Sequence, residues 1–426
     1  MKLIIPAMRK STFNWQTILC WIALWICCLP VSPPAGAASP ILVVPHTETT
    51  LHVAVPWPQG AAFDASEGWR LRETGEHGDE LRVDVAPALS AEGRPWSGKW
   101  LLLASIPPEA EAKASRRFRL EAAGSDATAG ARSVFRFADV SDKSLGLWEG
   151  ARPVLVYNHG TMSRADAPAK FNRSTYVHPL YGLDGEVLTD DFPTDHYHHR
   201  GLFWAWPHVR IGDSHYDLWG VNGVHQRFER WLARDTGQAA ASLGVENGWY
   251  VGERKVVQER VWLRAYAATP DERVLDLDFT WIPVEQPATL AGAEGKSYGG
   301  LTLRFAPRTD TVITTPLGNK PDDLAMTRLA CADLSARIAG AARPSGAAIF
   351  IAPDHPDYPP MWLTRHYGVL CVGWPGVEPR TFKPGEPIRC RYRVWIHRDV
   401  PEQAKLERVY ESYRLLERIT WEAPAR

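Results

Sequence analysis

Short apolar runs and strict apolar–polar alternation, cut by turns containing Gly or Pro, fill this chain from about residue 40 onward. Ile41–Val44, Leu51–Val55, Leu81–Val85, Trp100–Ala104 and Phe118–Leu120 each read as a strand. Their spacing predicts a small N-terminal β-sandwich over residues 39–139. Within it Glu109–Ser115 suits a short helix, and Ala122–Ala131, rich in Gly, Ala and Ser, suits a loop. From residue 140 the pattern continues: Val154–Tyr157, Gly201–Trp206, Val256–Leu263, Val274–Ile282, Leu301–Phe305, Ala348–Ile351, Val369–Trp374 and Cys390–Ile396. In Asp276-Leu277-Asp278-Phe279-Thr280-Trp281 one face is polar and the other apolar, as in an antiparallel strand with a solvated or ligand-facing side. Only Pro401–Ile419 carries helical spacing, with Ala404, Leu406, Val409, Tyr410, Tyr413 and Leu416 on one stripe.

No fixed-period repeat and no strand–helix alternation occurs, which excludes a doubly wound or TIM-barrel architecture. The expected fold is therefore all-β. A small β-sandwich precedes a large antiparallel β-supersandwich of the galactose-mutarotase type over residues 140–426, closed by a C-terminal helix. A cupin-type jelly roll is the alternative, but roughly 250 residues of strand exceed what one such barrel uses.

The first 38 residues follow another pattern. Lys2, Arg9 and Lys10 precede an apolar stretch from Thr17 to Leu29, and Ala35-Gly36-Ala37 supplies a small-residue cleavage site. This predicts a secretory signal peptide and a secreted or periplasmic mature protein; an uncleaved anchor is the rival reading, although the run is short of the roughly 20 residues of a span. Losing three positive and no negative residues takes the net charge from −1 to −4, so there is no basic excess for nucleic acid. Cys331, Cys371 and Cys390 remain, too few for a disulfide framework; Cys371 and Cys390 can pair only if their strands are neighbours. Sixteen tryptophans also remain. Most suit sheet packing, and a few suit stacking on sugar rings.

Chemistry concentrates in one place. Of 14 histidines, eight fall between His159 and His225, and Asp195-His196-Tyr197-His198-His199-Arg200-Gly201 holds three of them. Histidine serves proton transfer near neutral pH and metal binding better than it serves a core. Read as an extended segment, the cluster would point His196 and His198 one way and Asp195, Tyr197 and His199 the other. Two readings stay open. One of the histidines is a general base with its tautomer set by Asp195 or Asp190, or His196 and His198 grip a divalent transition metal with His178 or Asp191. Arg200 suits an enolate or carboxylate, Tyr298 an acid, and Arg304 an anion clamp. Asn158, His178, Asp191, Trp204 and Trp206 complete the expected substrate site, the two tryptophans by stacking.

Three blocks are specific enough to carry a resemblance: His178-Pro-Leu-Tyr181, Gly185-Glu-Val-Leu-Thr-Asp-Asp-Phe-Pro193, and Asp195-His-x-His-His-Arg-Gly-Leu202. With Tyr298–Arg304 and Lys383–Arg393, they make residues 140–400 similar to the bacterial "methane oxygenase PmoA-like" family. Where that family has proline between the first two histidines, this chain has Tyr197. The resemblance implies a secreted, β-rich protein of bacteria that degrade complex glycans. It does not imply a membrane oxygenase subunit, which needs several apolar spans. The expectation is a carbohydrate-active enzyme, a lyase, epimerase or hydrolase, using His/Asp/Arg acid–base chemistry on an acidic or modified small-molecule or oligosaccharide substrate. Its rivals are a non-catalytic protein whose two β-domains present a glycan groove, and a cupin-like metal oxygenase.

Overall fold

The computed structural model describes residues 39–61, 63, 68–75, 78–109, 114–123 and 133–422. The signal-like segment 1–38, the centre of the expected helix at 109–115 and most of the loop at 122–131 lie outside them. Of the described residues, 55% are strand and 5% are helical. The architecture is all-β with a C-terminal helix, as the alternation predicts.

Two nine-stranded antiparallel sheets form the body. The front sheet runs, edge to edge, through Thr327–Arg328, Met361–Arg365, Val369–Gly373, Gly300–Arg304, Leu202–Ala205, Tyr176–Leu180, Arg152–Asn158, Ser144–Glu149 and Phe135–Ser141. The back sheet runs through His225–Thr236, Ala240–Val251, Arg254–Tyr266, Glu272–Pro283, Ile388–Arg398, Ser345–Ile351, Cys331–Ile338, Arg308–Thr315 and Gly318–Lys320. Alternate residues of both, among them Leu202, Trp204, Leu301, Val261, Leu277 and Phe279, enter one shared core. Burial of that apolar surface, about 25 cal/mol per Å², holds the layers together. A four-stranded sheet of Ser214–Tyr216, His208–Ile211, Ala288–Ala291 and Arg380–Phe382 completes this part.

Within the apolar core sits one carboxyl. Glu259 is fully buried, and its Oε2 accepts from the indole N–H groups of Trp204 (2.8 Å), Trp249 (2.8 Å) and Trp281 (2.9 Å) and from Gln226 (3.1 Å). Its Oε1 accepts from Asn247 at 2.9 Å. A buried polar group needs such partners, and this one ties strands of both sheets to a single point.

The N-terminal sheet has two walls. Strand Glu80–Leu89 pairs with Trp69–Glu73 through residues 80–83 and with Pro95–Ile106 through residues 84–89, so it serves both. Leu42, Val53, Leu71, Leu102 and Phe118 fill the space between the walls. The strand Trp69–Glu73 escapes the sequence reading because only Leu71 in Trp-Arg-Leu-Arg-Glu is fully buried. The sheets divide before residue 139, since Phe135–Ser141 already belongs to the front sheet, and Thr420–Glu422 returns to pair with Ile41–Val43. Helix Gln403–Arg414 lays Leu406, Val409, Tyr410 and Tyr413 on the outer face of the back sheet, against Phe350 and Trp395. Cys331, Cys371 and Cys390 are free and buried; Cys371 lies in the front sheet and Cys390 in the back sheet.

Candidate functional site

The histidine cluster is not extended. Residues 190–201 form consecutive turns between the front-sheet strands Tyr176–Leu180 and Leu202–Ala205: the His196 N–H donates to Pro193 O at 2.9 Å and the His199 N–H to His196 O at 2.8 Å. Asp-Phe-Pro just before the cluster carries the turn chemistry that overrides alternation. The consequence is a different set of neighbours. His196 stacks face to face on His199, with centroids 4.7 Å apart and planes within 6°, and on its other face meets Tyr367 at 5.3 Å and 8°. His198 meets both histidines edge-on, at 5.6 Å from His196 and 4.7 Å from His199. At the rejoining strand a side chain on residue 201 would bring Cβ within 2.3 Å of Val177 O, so only glycine fits there.

Arg200 supports these turns from below. It has no exposed surface, lies 3.4 Å from the Phe192 ring centroid, and donates to the carbonyls of Tyr197 (2.8 Å), His199 (2.9 Å) and Phe171. Its expected contact with a substrate anion is therefore corrected: the guanidinium is a scaffold. Trp204 and Trp206 are likewise fully buried, their indoles donating to Glu259 and to Trp374 O, and cannot stack on a sugar. Asn158 is buried between Ser144 Oγ and His178 O. Asp191 accepts from Tyr176 Oη at 3.0 Å, and Tyr298 packs on Trp219 at 4.8 Å behind the histidines. His178 shares 3.0 Å with Thr189 Oγ1 and has no ring contact with the cluster. Among the described residues no group of three or more His, Cys, Asp or Glu side chains is arranged to hold a metal ion, and His178, His196 and His198 do not converge.

What does converge is Asp195, His196 and Arg304. The Asp195 carboxylate takes two bonds of 2.9 Å from Arg304 Nη2, and its Oδ2 lies 3.1 Å from His196 Nδ1. Burial works against its ionisation, but the contacts with His196 and Arg304 outweigh it and hold the carboxyl below the usual range. Burial pushes His198 down to about 4, with Arg173 adding to the effect, and pushes His199 well below the ordinary imidazole value, with His198 and His196 adding theirs. Both rings are thus neutral near pH 7.

These groups border an open cleft of about 550 Å³ lined by Asp190, Asp195, Arg304, Arg308, His366 and Tyr367, with Arg164 at the side. Arg304 also lies over the Tyr367 ring, 5.0 Å from its centroid, and leaves Nε and Nη1 without a hydrogen-bond partner. Arg308 donates to the carbonyls of Phe305, Ala306 and His366, leaves Nε unpartnered and, among the described residues, meets no carboxylate within ion-pair distance. Burial raises the carboxyl of Asp190, against the pull of Arg304, and raises the Tyr367 phenol. Sequence reading misses Arg308 and Tyr367. The available signal is Arg365-His366-Tyr367-Gly368, an Arg–His–aromatic group at the tip between two strands, and an arginine just after Pro307.

The family of unknown function DUF6807 matches residues 147–411. The chain belongs to this family. The DUF6807 region begins in the strand Ser144–Glu149 and ends within the C-terminal helix, so it takes in the cleft and leaves the N-terminal sheet outside. Comparison with curated proteins finds no match.

Proposed function

We propose that the cleft is the active site of a secreted or periplasmic enzyme that removes a proton next to the carboxylate of an acidic sugar, as a lyase or an epimerase. The observation that carries this reading is the Arg304–Asp195–His196 array at the rim of a cleft lined by Arg304 and Arg308. The resemblance of the histidine blocks to PmoA-like proteins, which implies a setting in glycan breakdown, is in keeping with it.

The residues divide the work as follows. The sugar carboxylate lies against the guanidinium groups of Arg304 and Arg308, which line the cleft. Asp195, fixed by Arg304, orients the His196 ring, and stacking between His199 and Tyr367 restricts its rotation. His196 takes the proton from the carbon next to the carboxylate, and the C–H electron pair moves into the carboxylate as an enediolate beside the two guanidinium groups. In a lyase that pair then forms the C=C bond while the bond to the β-oxygen breaks. The departing oxygen takes the Tyr367 phenolic proton, and the proton on His196 restores the phenol through water. In an epimerase water gives the carbon a proton on its opposite face, and His196 passes its own proton to the hydroxide left behind.

The test is to incubate the protein with polygalacturonate, alginate and chondroitin sulfate. Formation of unsaturated uronate is followed by ultraviolet absorbance and C5 inversion by NMR. Wild type yields one of these products, and His196→Ala lowers the rate by roughly 10²–10⁴-fold. A His196→Ala variant with undiminished rate sinks the assignment.

A further inference from the structure

A larger concavity lies away from this cleft and shares no lining residue with it. It opens between the N-terminal sheet and the outer face of the back sheet, with a volume of about 1020 Å³. That is the upper end of the roughly 300–1,000 Å³ usual for ligand pockets, and leaves room for more than one ring.

Its walls differ in chemistry. The N-terminal wall is aromatic: Trp57 and Trp100 both contact Phe63, at 5.1 Å and 4.5 Å, while Trp96 stands 53% exposed on the hairpin strand Pro95–Ile106. A tryptophan this exposed at the mouth of a concavity is apolar surface left uncovered, and its flat face suits the axial C–H face of a sugar. The facing wall is polar because it is the outward side of the strands Arg254–Tyr266, Glu272–Pro283 and Ile388–Arg398. Here the alternation of Asp276 and Asp278 finds its use. Both carboxylates are held by arginines, Asp276 by Arg393 at 2.6 Å and Asp278 by Arg389 at 2.9 Å. The remaining carboxylate lone pairs can accept from sugar hydroxyls. Two lining cations stand outside these pairs: among the described residues Lys99 meets no carboxylate within ion-pair distance, and Arg264, opposite Asp276 in the ladder, hydrogen-bonds Ser242 Oγ at 3.4 Å. Against them stands the carboxylate of Glu417.

We infer that this groove is a second carbohydrate site, which holds an oligosaccharide carrying acidic groups without cleaving it. Trp96 stacks on one ring, Lys99 and Arg264 take its carboxylate or sulfate, and the Asp–Arg pairs take hydroxyls. No bond is made or broken there. The inference stands whether or not the cleft is catalytic.

The experiment is affinity electrophoresis of the full protein in native gels cast with polygalacturonate, alginate or chondroitin sulfate, with dextran as the neutral control. The wild type is retarded by at least one acidic polymer and not by dextran. Trp96→Ala and Lys99→Ala, both at exposed positions and checked for unchanged melting, each weaken the retardation by roughly tenfold, the usual loss on truncating an anchoring contact. His196→Ala retains it in full. Absence of retardation on every acidic polymer overturns the inference. So does equal retardation by dextran, or a retardation lost in His196→Ala and kept in Trp96→Ala, which would move the binding to the cleft.

Discussion

At the scale of single residues, two groups of buried polar atoms decide how this protein responds to change. Glu259 receives five N–H donors and offers none. In Glu259→Gln the amide NH2 faces at least one of those donors whichever way it turns. Urea denaturation should show a loss of at least about 2 kcal/mol, the cost of a buried unsatisfied group. The histidines give a pH signature. Burial pushes His178, His198 and His355 down to about 4, whereas the unfolded chain takes up these protons near 6.5. Stability is therefore complete above about pH 6.5 and falls as the pH drops toward 4, by up to about 1.4 kcal/mol per pH unit for each histidine. Denaturation midpoints at pH 7, 6 and 5 should fall in that order, and His355→Asn should flatten the slope by about one proton. A midpoint unchanged between pH 7 and 5 would contradict the burial of these rings. The sequence displays the histidine cluster and Arg304, since residue type alone marks them. It hides which are usable: Arg200, Trp204 and Trp206 look like ligand contacts until the structure shows each fully buried.

At the scale of elements, the sequence is a good guide wherever a strand alternates between core and outside, and a poor one where backbone turns set direction. The strands from Val256 to Ile282 and the helix after Pro401 stand where the pattern puts them. Residues 190–201 do not, because two successive turn bonds reverse the chain and bring His196 onto His199. That placement depends on the exit from the turns. Gly201→Ala forces a Cβ against Val177 O, and the backbone must shift to relieve it. The expected result is a lowered melting temperature and a loss of activity on acidic sugars of about tenfold or more, larger than stability alone explains, because a misplacement of about 1 Å at a reacting group is that costly. Activity and melting measured on the same preparation separate the two effects.

At the scale of the whole molecule, the all-β class and the late helix are legible, but the order of strands within the sheets is not. Long-range pairing leaves no mark in local periodicity: nothing around Thr420–Glu422 announces that it completes a sheet begun at Ile41. That pairing, helped by the Trp421 indole donating to Pro56 O at 2.7 Å, also covers the Ile41–Val44 strand and leaves the three-residue Thr420–Glu422 as the edge of the sheet. A chain ended at Arg418 should melt at lower temperature and self-associate on light scattering, through the bare edge of Ile41–Val44. The order of synthesis adds a further consequence. The strand made near the start must wait for one made some 380 residues later, at ribosomal rates of about 5–20 residues per second. During those tens of seconds the nascent protein carries an open β-edge, and a chain released early carries it permanently. Coverage of the Ile41–Val44 edge by Thr420–Glu422 thus separates a chain that has been made as far as residue 422 from one released before it.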